Sequence, residues 1–156
     1  MEALGRAASG APVSPAPEDT RVGHIHLHVA DLAAAEHFYV GVLGFSVMAR
    51  YGGEAVFVAA GGYHHHIGLN TWAGVGAPPA PPGSAGLRWF EIRHTSDEER
   101  ERTAARVRQA GVEVDAAEGG YLARDPSRNA LLLTTGYRTS VSGVRASSSS
   151  ARNTTK

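Results

Sequence analysis

The chain has 156 residues, which is enough for one domain with a substantial core. Its 15 basic residues balance 15 acidic residues, so no overall charge draws the molecule to nucleic acid or to an anionic membrane. It contains no cysteine, which excludes disulfides, thiolate nucleophiles and cysteine-ligated metals.

The two ends of the chain differ in composition from the middle. Residues 1–20 are rich in Ala, Gly and Pro, and residues 138–156 are small and polar, so neither end can form a packed core. We expect a disordered arm at 1–20, a single folded domain at 21–137 and a disordered tail at 138–156. The start lacks the apolar run of a secretory signal, and no window approaches the roughly 20 apolar residues of a membrane span. The cytoplasm is therefore the expected location.

The first half of the domain, 21–72, predicts a strand, a helix and three more strands. Residues 23–30 alternate between apolar side chains and histidines, a pattern typical of a half-buried strand. Asp31 is a suitable N-cap for a helix over 32–43, and Gly44 suits the left-handed residue that ends such a helix. Short strands separated by glycine pairs are predicted at 45–51, 55–59 and 63–72.

A linker rich in Pro and Gly, 73–85, leads to a second half, 86–137, with the same plan. The strand predicted at 86–94 is followed by Ser96 and Glu99, which form a capping box for a helix over 97–110. Short strands are then predicted at 112–115, 121–124 and 130–135, the last two joined by the turn DPSRN.

The spacing of the two halves indicates an internal repeat. His24 precedes the helix cap Asp31 by seven residues, and Trp89 precedes the cap Ser96 by the same interval. Because each half alone would leave one sheet face bare, the halves are expected to join. The prediction is an α+β fold in which two βαβββ modules form one curved mixed sheet with helices on its outer face.

Six of the eight histidines fall in two predicted strands. Alternation within these strands directs apolar residues toward the helices and places four imidazoles on the opposite, concave face: His24, His26, His64 and His66. His65 is expected on the side that faces the helices. Neutral imidazole suits zinc and iron and titrates near neutrality, so the pattern predicts a metal site or a polar ligand pocket. The alternative is a set of exposed histidines without function.

Three segments carry a family resemblance: GHIHLHVADLAAAEHFYVGVLGF at 23–45, YHHHIGLNTW at 63–72 and DPSRNA at 125–130. They resemble the vicinal oxygen chelate (VOC) superfamily, which includes glyoxalases, bleomycin-resistance proteins and extradiol dioxygenases. The similarity spans roughly 22–137. It is greatest to one half of the two-domain ring-cleaving dioxygenases related to catechol 2,3-dioxygenase.

This resemblance implies four metal-ligand positions, which fall on His24, His66, Trp89 and Leu132. An indole and an isobutyl group cannot donate to a metal, so the second module lacks the expected ligands. Glu91 lies on the same strand face as Trp89 and is expected to complete a two-histidine, one-carboxylate triad with His24 and His66. The alternative for Glu91 is an ordinary ion pair with Arg93.

Resemblance to extradiol enzymes further implies a proton-shuttling histidine beside the metal. His64 or His66 fits that position, and His26 is a second candidate acid or base. Trp89 and Leu132 are expected to line the ligand pocket, where Trp89 would stack on an aromatic ring. Asn70 is expected to hydrogen-bond the ligand, unless it closes a turn instead.

Three functional hypotheses follow from these residues. The first is a dioxygenase-like enzyme that binds Fe(II) or Mn(II) and an aromatic substrate with vicinal oxygen atoms. Trp89 and Leu132 favour the second, a metal-free binding protein of the bleomycin-resistance type. The third is a glyoxalase-type lyase. The resemblance also implies a homodimer, since the chain carries one copy of the domain, with a small aromatic molecule as its partner.

Overall fold

The computed structural model describes Pro17, Thr20 and residues 23–136. The arm predicted at 1–20 lies outside the described residues except for Pro17 and Thr20, and the tail predicted at 138–156 lies outside them entirely. Within the described ranges, no helix combines the length and the apolar content needed to cross a membrane.

Module one contains four strands and one helix that changes its pitch. Helix α1 begins after Asp31, whose side chain accepts a hydrogen bond from the backbone N–H of Ala34 at 3.0 Å. The helix then continues in the wider π form, and Gly44 follows its end with a φ of 88°, as predicted. The elements are β1 Ile25–His28, α1 Leu32–Glu36, the π-helix His37–Val42, β2 Ser46–Tyr51, β3 Ala55–Ala59 and β4 Ile67–Asn70.

Module two repeats this plan with a longer helix. The side chain of Ser96 accepts a hydrogen bond from the backbone N–H of Glu99 at 3.2 Å, which places the start of helix α2 where the capping box predicts it. The elements are β5 Phe90–His94, α2 Asp97–Gln109, β6 Val114–Ala117, β7 Gly120–Arg124 and β8 Ala130–Thr135.

The two modules have the same strand order. The first sheet runs β1-β4-β3-β2 and the second runs β5-β8-β7-β6. In each sheet the first and last strands of the module pair in parallel, and the remaining pairs are antiparallel. The predicted α+β fold of two βαβββ modules is therefore confirmed. The strands form two four-stranded sheets, one in each module, where one continuous curved sheet was expected.

One apolar core joins the modules. It combines Leu27 and Leu69 from the first sheet with Leu131 and Leu133 from the second, and the helices of both modules contribute to it. Arg106 of α2 strengthens the connection, because its Nε donates to the carbonyl of Val42 at 3.0 Å, at the end of the π-helix.

The DPSRN turn makes a second connection, centred on the buried carboxylate of Asp125. Four hydrogen bonds reach this carboxylate: from the Tyr39 hydroxyl at 3.1 Å, the Ser127 N–H at 2.9 Å, the Asn129 N–H at 2.8 Å and the Asn129 side-chain amide at 2.9 Å. Burial raises the pKa of Asp125, while the donated hydrogen bonds oppose that rise.

The same turn reaches the end of β1. The Asn129 amide donates to the carbonyl of His28 at 3.0 Å, and the Ser127 hydroxyl accepts from the Ala30 N–H at 2.8 Å. Arg128 in this turn adopts a φ of 71°. This left-handed conformation explains why glycine suits the position.

Replacing Tyr39 by phenylalanine tests the connection through Asp125. Tyr39 is fully buried, so the substitution removes one donor from a buried carboxylate without opening a large cavity. We expect the free energy of unfolding to fall by about 1–3 kcal/mol, measured by urea denaturation. Tyr51→Phe, at an exposed position of β2, is the matched control and should change it by less than about 0.5 kcal/mol. Equal effects of the two substitutions would refute the assignment.

His94 gives the fold a predictable response to acid. Its ring nitrogens lie 3.3 Å from the Thr134 carbonyl and 3.1 Å from the Thr103 hydroxyl, and burial lowers the pKa of the imidazole. Because this pKa is lower in the folded chain than in the unfolded chain, the unfolded chain is protonated at a higher pH. The contribution of His94 to stability is complete above about pH 6.5 and is lost as the pH falls. Between about pH 7.5 and 5.5 the wild type should lose more free energy of unfolding than His94→Gln. An equal loss in both proteins would contradict this prediction.

Candidate functional site

A cavity of about 720 Å³ lies between the first strands of the two modules. The three residues predicted to hold a metal, His24, His66 and Glu91, all line it. The rest of the wall is mainly apolar and includes Ile25, Phe45, Ile67, Leu87, Phe90 and Ile92. A second cavity of about 480 Å³, beside β7 and the DPSRN turn, is lined by none of the predicted site residues.

His24, His66 and Glu91 share this cavity without forming a compact group. Within the described part of the chain, the one set of three His, Asp or Glu side chains whose ligand atoms all lie within 4.8 Å of one another is His24, His26 and His65. Glu91 instead lies beside Arg93, whose Nε is 3.9 Å from the carboxylate. The alternative expected for Glu91, an ion pair with Arg93, is thus present in the structure.

His65 is the residue that the sequence reasoning missed. The predicted strand includes residues 63–66, but β4 begins only at Ile67. Residues 63–66 therefore do not alternate between the two faces of the sheet. His65 consequently lies on the same side as His24 and His26, with ring centroids 4.5 and 5.6 Å from theirs. The expectation that it faces the helices is wrong.

The surroundings of His65 disfavour protonation of its ring. Burial first, and the neighbouring imidazoles second, lower the pKa of His65. Its ring packs against Phe57 at 5.0 Å. Its Nε2 atom is buried, and no residue in the described ranges hydrogen-bonds to it. A buried imidazole nitrogen without a hydrogen-bond partner is well suited to bind a metal ion.

His26 lies directly over Gly68 of the neighbouring strand. The two residues are paired in the parallel register of β1 and β4, and a Cβ atom built on Gly68 would meet the Nδ1 of His26 at 2.9 Å. A glycine inside a strand is a known sign of such a close approach. That signal was available in the sequence, and it identifies where the His26 ring rests.

His64 and His66 lie at the edge of the cluster. The ring of His64 is exposed, with its centroid 5.7 Å from that of His24 and 4.2 Å from that of Tyr63. The ring of His66 stacks on Tyr63 at 4.7 Å, and its Nδ1 accepts a hydrogen bond from the Ala60 N–H at 3.3 Å. Tyr63 thus holds both rings beside the cluster.

The residues predicted to bind the ligand, Asn70, Trp89 and Leu132, are not among the described residues that line this cavity. Asn70 is buried, and its side-chain oxygen accepts from the Trp72 N–H at 3.3 Å, which is the turn-closing alternative. Leu132 is buried in the second sheet and Trp89 is half-buried just before β5. Among the described residues, the lining of the cavity includes the neighbours Leu87 and Phe90 but neither Trp89 nor Leu132.

The donor set of module one fits a divalent metal. Trp89 and Leu132 provide no donor from module two, but three imidazoles of module one lie within 4.8 Å of one another, and the buried Nε2 of one of them has no hydrogen-bond partner in the described ranges. Imidazole nitrogens suit zinc, iron, copper and nickel, and three protein ligands leave positions open for a substrate.

Comparison with known proteins establishes the family. The model of the Glyoxalase/Bleomycin resistance protein/Dioxygenase superfamily matches residues 21–131, and the chain belongs to this superfamily. The resemblance to the vicinal oxygen chelate proteins is thereby confirmed.

One relative matches most of this chain but less than half of its own length. The chain is 47% identical over 117 residues to a protein named catechol-2,3-dioxygenase from Bacillus subtilis (strain 168), an alignment that covers 74% of this chain and 41% of that protein. The chain therefore spans about two fifths of the length of this relative.

Solved structures confirm the fold. TnmS3, an antibiotic binding protein from Streptomyces sp. CB03234, is 28% identical with a TM-score of 0.57, covering 78% of this chain and 100% of that one. A lactoylglutathione lyase from Agrobacterium tumefaciens is 22% identical with a TM-score of 0.57, covering 77% of this chain and 96% of that one. At that identity the lyase shows a shared fold alone.

Gly68→Ala tests whether the His26 ring lies against Gly68. The added Cβ would stand 2.9 Å from Nδ1 of the ring, so the ring must move and the imidazole NMR signals of His26 should shift. Overpacking of this kind costs about 1–3 kcal/mol of stability. Gly53→Ala, where a Cβ meets nothing within 4 Å, is the matched control and should leave these signals in place. Unchanged His26 signals in Gly68→Ala would show that the ring does not rest there.

Proposed function

We propose that this protein binds a small aromatic molecule with vicinal oxygen atoms in the cavity between its modules. With a divalent metal, Fe(II) or Mn(II), held through His24, it acts as an extradiol ring-cleaving dioxygenase. The observation that carries the proposal is the position of His24. This residue, at the first metal-ligand position implied by the family, lines a cavity of about 720 Å³ with mainly apolar walls, a size typical of small-molecule sites.

The walls of the cavity account for binding and orientation. Apolar side chains such as Phe90 and Leu87 contact an aromatic ring and exclude water from one side of it. His66 and Glu91 lie on the same wall, where they face the polar edge of the ligand. The metal, when bound, supplies charge stabilisation and a template that brings the reactants together.

Proton transfer in this proposal belongs to His64. Its exposed ring lies beside His24 at 5.7 Å and is supported on one face by Tyr63. An imidazole in that position can take a proton from a substrate hydroxyl and return it. His26, the other predicted acid or base, lies within the compact imidazole group instead.

A metal-free binding protein is the second candidate function. Trp89 and Leu132 stand where the family resemblance implies ligands, and neither side chain can donate to a metal. The likeness to an antibiotic binding protein, which is matched over 100% of its length, supports this candidate as well. A glyoxalase-type lyase would need ligands from both modules, so the same two residues disfavour it.

We further propose that residues 21–137 fold as a single domain and that two copies associate to close the cavity, as the family resemblance implies. Light scattering on the purified full chain would measure the mass of the assembly directly.

Oxygen uptake with catechol tests the enzymatic proposal. The tag-free chain reconstituted with Fe(II) or Mn(II) should consume oxygen, and His24→Ala should reduce the rate more than about 100-fold, since even outer-shell partners of a metal are worth 10–100-fold. His28→Ala, on the same strand face but outside the compact group, is the control and should retain the rate.

The binding candidate predicts a different result. The metal-free chain would bind aromatic ligands without consuming oxygen, and addition of Fe(II) or Mn(II) would leave that affinity nearly unchanged. Quenching of Trp89 fluorescence, measured in a Trp72→Phe background because Trp72 is exposed, reports such binding near β5. Ligand-dependent quenching with no oxygen uptake for any metal would replace the dioxygenase proposal by this one.

A further inference from the structure

We propose that the divalent cation is held by His24, His26 and His65, three imidazoles that all come from module one. This inference rests on the proposed function for its metal requirement and names the ligands that the site uses. It differs from the triad of His24, His66 and Glu91 that the sequence predicts. It also differs from the family arrangement, in which both modules supply ligands.

The spacing of the three side chains supports this set. Their ligand atoms already lie within 4.8 Å of one another. Two nitrogens bound to one metal at about 2.0–2.1 Å stand about 3.4 Å apart in a tetrahedral site. The nitrogens of each pair therefore need to approach by about 1.4 Å or less to close the group around an ion.

Each imidazole is held by a different feature of the fold. Gly68 leaves the space in which the His26 ring rests, and Phe57 packs edge-on against both His26, at 5.9 Å, and His65, at 5.0 Å. His24 precedes β1, and the backbone N–H of Ile25 next to it donates to the carbonyl of His66 at 3.0 Å. Such support lowers the entropy lost when the ion binds.

The environment of His65 supports a bound metal ion, independently of the spacing of the three rings. Its Nε2 is buried, and no described residue hydrogen-bonds to it, a state that costs free energy in a folded protein. Binding of an ion to Nε2 would satisfy this atom. His66, in contrast, already uses Nδ1 to accept from Ala60, and Glu91 lies beside Arg93.

The donor chemistry has a consequence for metal choice. Three neutral imidazoles add no negative charge, so the ion keeps its full charge and an open position for an anionic oxygen ligand. Such sets suit zinc, cobalt, nickel and copper as well as iron. The proposal therefore predicts binding of Co²⁺ and Zn²⁺ to the chain in the absence of any substrate.

The test is a titration of the tag-free full chain with Co²⁺, followed by visible absorption and by calorimetry, with Zn²⁺ as competitor. We expect one ion per chain. His26→Gln and His65→Gln should each weaken binding more than about 100-fold, since direct ligands exceed the 10–100-fold worth of outer-shell partners. His66→Gln, Glu91→Gln and the control His28→Gln should stay within about threefold.

A second measurement does not depend on any variant. On addition of Zn²⁺ to the unmodified chain, the imidazole ¹⁵N signals of His24, His26 and His65 should shift together, and the signal of His28 should not. Binding that depends on His66 or Glu91 and survives His26→Gln and His65→Gln would overturn the assignment. So would the absence of stoichiometric binding.

These outcomes separate this inference from the proposed function. A chain that binds one Co²⁺ through the three imidazoles but consumes no oxygen with catechol retains the metal site and loses the dioxygenase proposal. A chain that consumes oxygen at an unchanged rate in His26→Gln and His65→Gln retains the dioxygenase proposal and loses this ligand set.

Discussion

The buried carboxylate of Asp125 connects the two modules, and residues of both modules line the candidate site. Its hydrogen bond from Tyr39 attaches the turn of module two to the π-helix of module one, and Asn129 and Ser127 attach the same turn to the end of β1. Because β1 carries His26 and follows directly on His24, this turn helps to position the imidazoles. Side chains of module two thus hold the backbone at the end of β1, although none of them belongs to the imidazole group.

The site divides its tasks between the modules. The compact imidazole group belongs to module one, while the cavity beside it is closed by residues of β5 in module two, such as Phe90 and Ile92. Relatives with this fold carry names as different as catechol-2,3-dioxygenase and antibiotic binding protein. The fold alone therefore does not decide between the two candidate functions.

Much of the fold followed from local signals. The caps Asp31 and Ser96, the left-handed Gly44 and the alternation in residues 23–30 each act over a few residues, and the structure has the elements close to where these signals place them. The equal spacing of the two halves predicted the repeat, and the motifs identified the superfamily. His24 and His66, predicted from the family resemblance, and Glu91, predicted from its place two residues after Trp89, all line the cavity.

The compact group of His24, His26 and His65 required the tertiary structure. Alternation holds only inside a strand, and the first residue of a strand depends on partners far away in the sequence. Here His66 is bonded to both β1 and β3 through its backbone, and residues 63–66 lie outside the strand that begins at Ile67. Contacts between distant segments thus determine which side of the sheet the His65 side chain faces. The presence of imidazoles on this side of the sheet, in contrast, could be predicted from the sequence alone.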